Sequence, residues 1–462
     1  MNKIIAEPGA ARRGKPFWAW NGELCAEEIR RQVNVMKEMG FGGFFMHSRA
    51  GLRTEYLGNE WMDMVETAVD EAEKLGMEAW LYDEDRWPSG SAGGLVTEDS
   101  RFCMKSLVMT VLPPKLYELR RGDIYSDEKT HSVFAASIDG LDLYAYGKID
   151  ESADIKEWYK ASDPDGNGKA VVLLFSVIPD SPSSEYNGTT YIDTMNRAAT
   201  DRFIELTHER YAARFGDRFG KSIKGIFTDE PHRGHAMDDT RRNNDGSISC
   251  SLAWTEDFFD EFESRYGYDA VRRLPEIFFR MRGEIVSDVR HDWFDLACNL
   301  FIERFAEPIN EWCMNHNLIF TGHILHEDSL TNQSVPNGSV MRFYEHMGYP
   351  GVDVLTEENR CYWIVKQLES SARQLGKKTL LSELYGCTGW QFDMKGHKAV
   401  GDWQALFGIN LRCPHLSWYT MEGEAKRDYP ASIFYQSPFY KYYNIIETYF
   451  ARFGTLVSES ER

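Results

Sequence analysis

The stretch GIFTDEPHRG, residues 225–234, sets two adjacent acids, Asp229 and Glu230, at the end of an apolar run and then stops on a proline. A third acid, Glu383, ends the apolar run of LLSELYG. Two carboxyl groups far apart in sequence that meet over one pocket can hydrolyse a glycosidic bond. One gives its proton to the leaving oxygen, and the other activates water or attacks the anomeric carbon. On this chemistry Glu230 is the acid and Glu383 the base or nucleophile. Side chains alternate along a strand, so Asp229 is expected to point to the other side from Glu230 and to hold a neighbour or a hydroxyl.

Further polar groups follow other apolar runs. AWNG supplies Trp18 and Asn21, FFMHSR supplies His47 and Arg49, and YDEDRWPSG supplies Asp83, Glu84, Asp85 and Trp87. LIFTGHILHED supplies His323, His326, Glu327 and Asp328. Such groups hydrogen-bond sugar hydroxyls, and Trp18, Trp87, Trp390 and Trp418 are candidates to lie flat against the apolar face of a pyranose. We take Trp18, Asn21, His47, Asp83, Asp85, Trp87, Asp229, His323, Glu327, Trp390 and Trp418 as the substrate-binding set. A rival reading makes His323, Glu327, Asp83 and His47 the metal ligands of a sugar isomerase or aldolase, and a third makes the chain a non-catalytic carbohydrate-binding barrel. The glycines of SGSAGG do not follow a phosphate-loop pattern, which argues against nucleotide binding.

Positioning these groups requires a parallel sheet. Eight short apolar runs, starting at Lys15, Gly43, Met77, Ile223, Leu318, Gly351, Lys378 and His415, each end in polar or aromatic residues. Amphipathic stripes lie between most of them, such as Cys25, Ile29, Val33 and Met36, or Trp61, Val65, Ala68 and Ala72 after an N-cap at Asn59. Alternating β and α units repeated eight times predict an α/β chain closed as a (β/α)₈ TIM barrel over residues 1–462, with functional groups at the C-terminal ends of its strands. Two intervals are too long for one unit. The first predicts a β-rich insertion after strand three, residues 101–190, including the hairpin runs VFAASIDGLDLYAYG and AVVLLFSVIP. The second, after strand four, predicts a polar loop, HAMDDTRRNNDGSIS, followed by a helical insertion.

Composition narrows the partners. A net charge of −20 argues against nucleic acid and against an anionic membrane surface. No apolar run approaches the roughly 20 residues that span a bilayer. The 8 cysteines form no C-x-x-C pair, as expected of reduced thiols in a cytoplasmic protein.

The segments PFWAWNGEL, EEIRRQVNVMKEMGFGGFFMHSR, LGMEAWLYDEDRWPSGSAGG, IFTDEP and LLSELYG together resemble the family 106 glycoside hydrolases, the bacterial α-L-rhamnosidases, and their uncharacterised relatives. The resemblance runs along most of the chain and is densest from Pro16 to Gly94. It implies a TIM-barrel domain that removes terminal rhamnose by inversion, with a calcium ion in the sugar site and catalytic glutamates at Glu230 and Glu383. Members usually continue into β-sandwich domains, so the resemblance also implies a fragment or a minimal relative.

Overall fold

The computed structural model describes residues 7–234, 237, 240–357 and 361–459. Eight parallel strands build the barrel: β1 Phe17–Trp20, β2 Gly43–Ser48, β3 Glu78–Asp85, β4 Ile223–Asp229, β5 Ile319–His323, β6 Tyr349–Val354, β7 Leu381–Leu384 and β8 Leu411–Pro414. Each pairs with the next in sequence, and β8 closes the ring through a following segment, Ser417–Trp418, that pairs with β1. The eighth strand therefore begins four residues before the expected His415. A TIM barrel with two insertions is the fold.

Strand alternation sorts the side chains between two cores. Phe17, Ala19, Phe45, Trp80, Tyr82, Phe227, Leu381, Leu411 and Cys413 fill the barrel interior. Their neighbours Trp18, Trp20, Phe44, Met46, Ala79, Leu81 and Ile226 face the surrounding helices. On the same parity as the interior set, but one layer further along, come His47, Asp229, His323 and Glu383. A strand that places apolar groups in the barrel thus delivers a polar group to its mouth. The helices carry the matching stripes. In Ala26–Glu38 the buried positions are Ile29, Gln32, Val33 and Met36, and in Asn59–Leu75 they include Trp61, Val65, Ala68 and Ala72. The N-cap of the second is Gly58, not Asn59, which is already helical.

Both insertions feed one seven-stranded sheet. Strands Lys105–Leu112, Thr130–Asp139, Asp142–Lys148 and Lys169–Pro179 come from the first insertion as expected. The second was expected to supply a polar loop and helices. It does supply helices, among them Phe258–Tyr266 and Asp288–Phe301, but Arg241–Arg242, Ile248–Trp254 and Arg280–Met281 join the sheet. Ile248–Trp254 pairs with the whole of Lys105–Leu112 except its last residue, because Cys250, Leu252 and Trp254 alternate into the core and cover an edge that would otherwise be bare. Within the expected polar loop, residues 235, 236, 238 and 239 lie outside the described residues.

Gly322 shows how tightly the mouth is set. It sits one residue before His323 at φ +138, and a Cβ there would sit inside the carbonyl oxygen of Thr228 on β4. Gly322→Ala is expected to cost about 1–3 kcal/mol in urea unfolding, from backbone strain and overpacking at the β4–β5 seam.

Candidate active site

Asp229 ends β4 and its carboxyl turns into the barrel mouth. Its Oδ2 accepts from the Tyr82 hydroxyl at 2.6 Å, and its Oδ1 lies 3.2 Å from His323 Nε2. The same His323 nitrogen lies 2.8 Å from Glu383 Oε2. His323 and Asp229 are register partners on β5 and β4, and Asp353 and Glu383 are register partners on β6 and β7, so the four chemistry-bearing groups reach the mouth as two neighbouring pairs.

Glu230 does not leave on the far side from Asp229. Strand alternation ends with Asp229, and Glu230 adopts the left-handed region at φ 47 while its N–H donates to the His323 carbonyl at 3.2 Å. That bend returns its carboxyl to the mouth, where it clusters with His323 and Asp353 with candidate atoms within 4.8 Å of one another. Other non-glycine residues just past the strands share this conformation: Arg86 after β3, His326 after β5, and Tyr385 and Cys387 after β7. Strained backbone collecting around one mouth is a mark of a functional site.

The protonation states divide. Burial, reinforced by the negative charge of Asp229, pushes Glu230 up to about 8. Burial also raises Asp229 to about 6, Glu327 to about 7 and Asp353 well above the usual carboxylate range. Burial pulls against ionisation of Glu383 as well, but the hydrogen bond and charge of His323 outweigh it and hold this carboxyl below its ordinary value. Burial would likewise strip His323 of its proton, yet the hydrogen bond to Glu383 and the charge of Asp229 keep its pKa well above that of a free imidazole. The arrangement is a buried imidazolium, an ionised Glu383 and a protonated Glu230.

The remaining expected residues fall into three groups. Glu327 stands beside the cluster, accepting from the Asp353 N–H at 3.1 Å and from Tyr344. Trp87 and Trp390 border the mouth region. Trp87 is half-buried with the Arg49 guanidinium 4.1 Å over its ring, and Trp390 is 44% exposed with its indole N–H on the Lys426 carbonyl. Asn21, His47, Asp83 and Asp85 are turned to internal bonds. Asn21 staples β1 to Thr420 through both amide atoms. His47 packs at a tilt against Tyr82 and faces Arg49, Asp83 accepts from Ser89, and Asp85 accepts from Ser48, Arg86 and Asn187.

Two expectations are corrected. Trp18 has the outward parity of β1, is 0% exposed, and donates its N–H to Gln32 of the first helix, so it cannot stack on a sugar. Trp418 is also 0% exposed, packed among the barrel-interior rings beneath Arg49.

Sequence reading missed Asp353, although an acid inside the apolar run PGVDV carries the same signal as TDEP. It also missed His415, whose Nε2 lies 3.8 Å from Glu383 Oε1, and the fork by which Arg49 clasps Asp428 at 2.6 and 2.9 Å. The SGSAGG turn proves to be an anion nest filled from within. The N–H groups of Gly90, Ser91 and Ala92 grip Glu84 Oε2 at 2.7–2.9 Å, and Gly93 holds Oε1.

Calcium seeks six to eight oxygen ligands. Among the described residues the two candidate triads, Asp229–His323–Glu383 and Glu230–His323–Asp353, each offer two carboxylates and a nitrogen, and the nitrogen of the first is already engaged by both its acids. Either triad alone supplies fewer oxygens than a calcium shell needs. Nor do His47 and Asp83 join His323 and Glu327 in a common ligand cluster among the described residues.

Glu230 gives a stability test that needs no substrate. An unfolded Glu ionises near 4.5, whereas folded Glu230 keeps its proton to about 8, so the native state holds the extra proton and stability drains as pH rises between those values. Glu230→Gln removes this loss. Its stability relative to the parent is expected to improve by about 2–4 kcal/mol from pH 4.5 to pH 8.5 in urea unfolding, and to change little below pH 4.5.

No family model and no curated protein sequence matches the chain. Among solved structures it is similar to a rhamnosidase from Novosphingobium sp. PP1Y, with a TM-score of 0.68 and 15% identity over 99% of this chain. The chain spans 60% of that rhamnosidase's length. An endo-1,4-β-mannanase from Rhizomucor miehei (TM-score 0.38, 9% identity, 97% of this chain and 96% of that one) is a more distant likeness. So is an endo-β-1,4-mannanase from Thermotoga petrophila (0.36, 10%, 98% and 79%). At these identities the likeness is one of fold, and the first of them carries it.

Proposed function

We propose that this chain is a glycoside hydrolase that removes a terminal sugar, α-L-rhamnosidase-like, with Glu230 as general acid and Glu383 as general base. The observation that carries the reading is the division of two carboxyls around one buried histidine. Glu230 holds its proton to about 8, while His323, 2.8 Å from Glu383, keeps that group ionised. A pair of carboxyls with opposed protonation is what acid–base cleavage of an acetal requires. The likeness of fold to a rhamnosidase and the sequence resemblance to family 106 support the sugar class.

In this mechanism Glu383 takes a proton from water as the water oxygen bonds to the anomeric carbon. The bond from that carbon to the leaving oxygen breaks, and Glu230 gives its proton to that oxygen. The negative Asp229 beside Glu230 helps retain the proton until it is needed, and Asp229 is itself held by Tyr82 and His323. Among the described residues His47 and Asp83 form no ligand cluster with His323 and Glu327 of the kind the isomerase reading needs, so the hydrolase reading is preferred.

Leaving-group chemistry separates the two roles. With 4-nitrophenyl α-L-rhamnoside, Glu383→Gln is expected to lower kcat/KM by at least about a thousandfold. Glu230→Gln should lower turnover of a rhamnosyl disaccharide by a similar factor, but far less with 2,4-dinitrophenyl rhamnoside, whose leaving group needs no proton. Near-normal turnover by either variant on the disaccharide would contradict the assignment. The alkaline limb of the kcat/KM profile, expected near pH 8 from Glu230, should vanish in Glu230→Gln.

A further inference from the structure

Beside the carboxylate site lies a cavity of the opposite charge. It occupies about 600 Å³ on the C-terminal face, between the loop after β2 and the turn after β3, and Arg49 belongs to its wall. Four arginines line it, Arg49, Arg53, Arg86 and Arg210, against two carboxylates, Glu55 and Asp85.

These arginines are not equally committed. Arg49 is closed by its fork to Asp428, and Arg86 lies 3.2 Å from Asp85, which Asn187 also holds. Arg53 reaches only Glu422, at 3.1 Å, with the two side chains 59% and 65% exposed. A pair so open to water is weak and readily exchanged for another anion. The exposed Arg210 side chain has no hydrogen-bond or ion-pair partner among the described residues. Two guanidinium forks are therefore available on one cavity, in a chain whose net charge of −20 would otherwise repel anions. Arginine forks match oxyanions, carboxylate and sulfate alike.

The neighbouring site imposes the converse. Asp229, Glu230, Glu327, Asp353 and Glu383 all act on one His323, so that pocket disfavours a negatively charged sugar and suits a neutral one. We infer that the arginine cavity is a subsite for the leaving-group side of the substrate, so that the protein cleaves a neutral terminal sugar from an acidic one whose oxyanion Arg53 and Arg210 receive. This rests on the glycosidase reading and adds to it the charge of the second residue.

The test compares kcat/KM for four substrates: a rhamnosyl disaccharide ending in a hexuronate, its carboxyl-reduced neutral twin, a sulfated counterpart, and 4-nitrophenyl α-L-rhamnoside. The acidic disaccharides are expected to exceed the neutral twin by about tenfold or more, with the excess shrinking as salt rises. The two acidic arms show whether carboxylate or sulfate is the natural anion. The double variant Arg53→Gln/Arg210→Gln should lose that preference while 4-nitrophenyl turnover stays unchanged. Equal values for acidic and neutral disaccharides, or an equal loss on all substrates in the double variant, would overturn the inference. If no rhamnoside is cleaved, the glycosidase reading alone fails, and the cavity is then read by calorimetric titration with sodium digalacturonate. Binding by the parent that the double variant loses supports an acidic-sugar site, and no binding by the parent overturns it.

Discussion

The contact between His323 and Glu383, with Asp229 on the same nitrogen, is the constraint around which the rest of the mouth is arranged. Five carboxyl groups crowd a space that burial makes hostile to charge, and one imidazolium cannot neutralise them all. It stabilises the carboxylates it touches, and the others respond by keeping protons. The unequal sharing of one positive charge creates an acid and a base from the same residue type, without any group having to be exotic. Removing one member of such a buried set is more costly than the contact itself is worth, because the remaining charges lose their counter-ion.

The scaffold delivers these groups by parity and by strain. Inward positions that hold Phe17, Phe45 or Leu381 lower in the barrel hold His47 and Glu383 one step higher, so packing and chemistry use the same register. Glu230 is the exception, brought in by a left-handed backbone rather than by alternation. The cost of that conformation is met by the surrounding seam, where Gly322 lets β5 press against Thr228 and the Glu230 N–H bonds the His323 carbonyl. Around the cluster, Arg49 links the carboxylate pocket to the arginine cavity, clasped by Asp428 and laid on Trp87. Charge thus changes sign across one side chain, which suits a substrate whose two ends differ in charge.

Much of this was legible in the chain. Strand ends that pass from apolar to acidic, as in IFTDEP and LLSELYG, mark the mouth of a parallel barrel, and the interval between runs gives its βα repeat. What escaped reading did so for physical reasons. Trp18 and Trp20 bracket Ala19, and nothing local tells which parity faces the helices; the partner Gln32, on the first helix, decides it. The return of Glu230 depends on a backbone angle that no side-chain pattern announces. Ile248–Trp254 looked like the tail of a polar loop because its edge partner, Lys105–Leu112, lies more than a hundred residues earlier. SGSAGG has its nest filled by Glu84, a residue of β3 that only the folded turn brings onto these N–H groups.

The most direct measurement is the protonation of His323 itself, followed by ¹⁵N NMR of the ring nitrogens across pH 6 to 9, with His323→Gln to assign the signals. Both nitrogens are expected to carry protons through pH 7.5 and beyond, because the hydrogen bond to Glu383 and the charge of Asp229, both acting at Nε2, hold the ring's pKa well above that of a free imidazole. A ring already neutral at pH 7 would mean that Glu383 has no buried cation to keep it ionised, and the division between acid and base would fall with it.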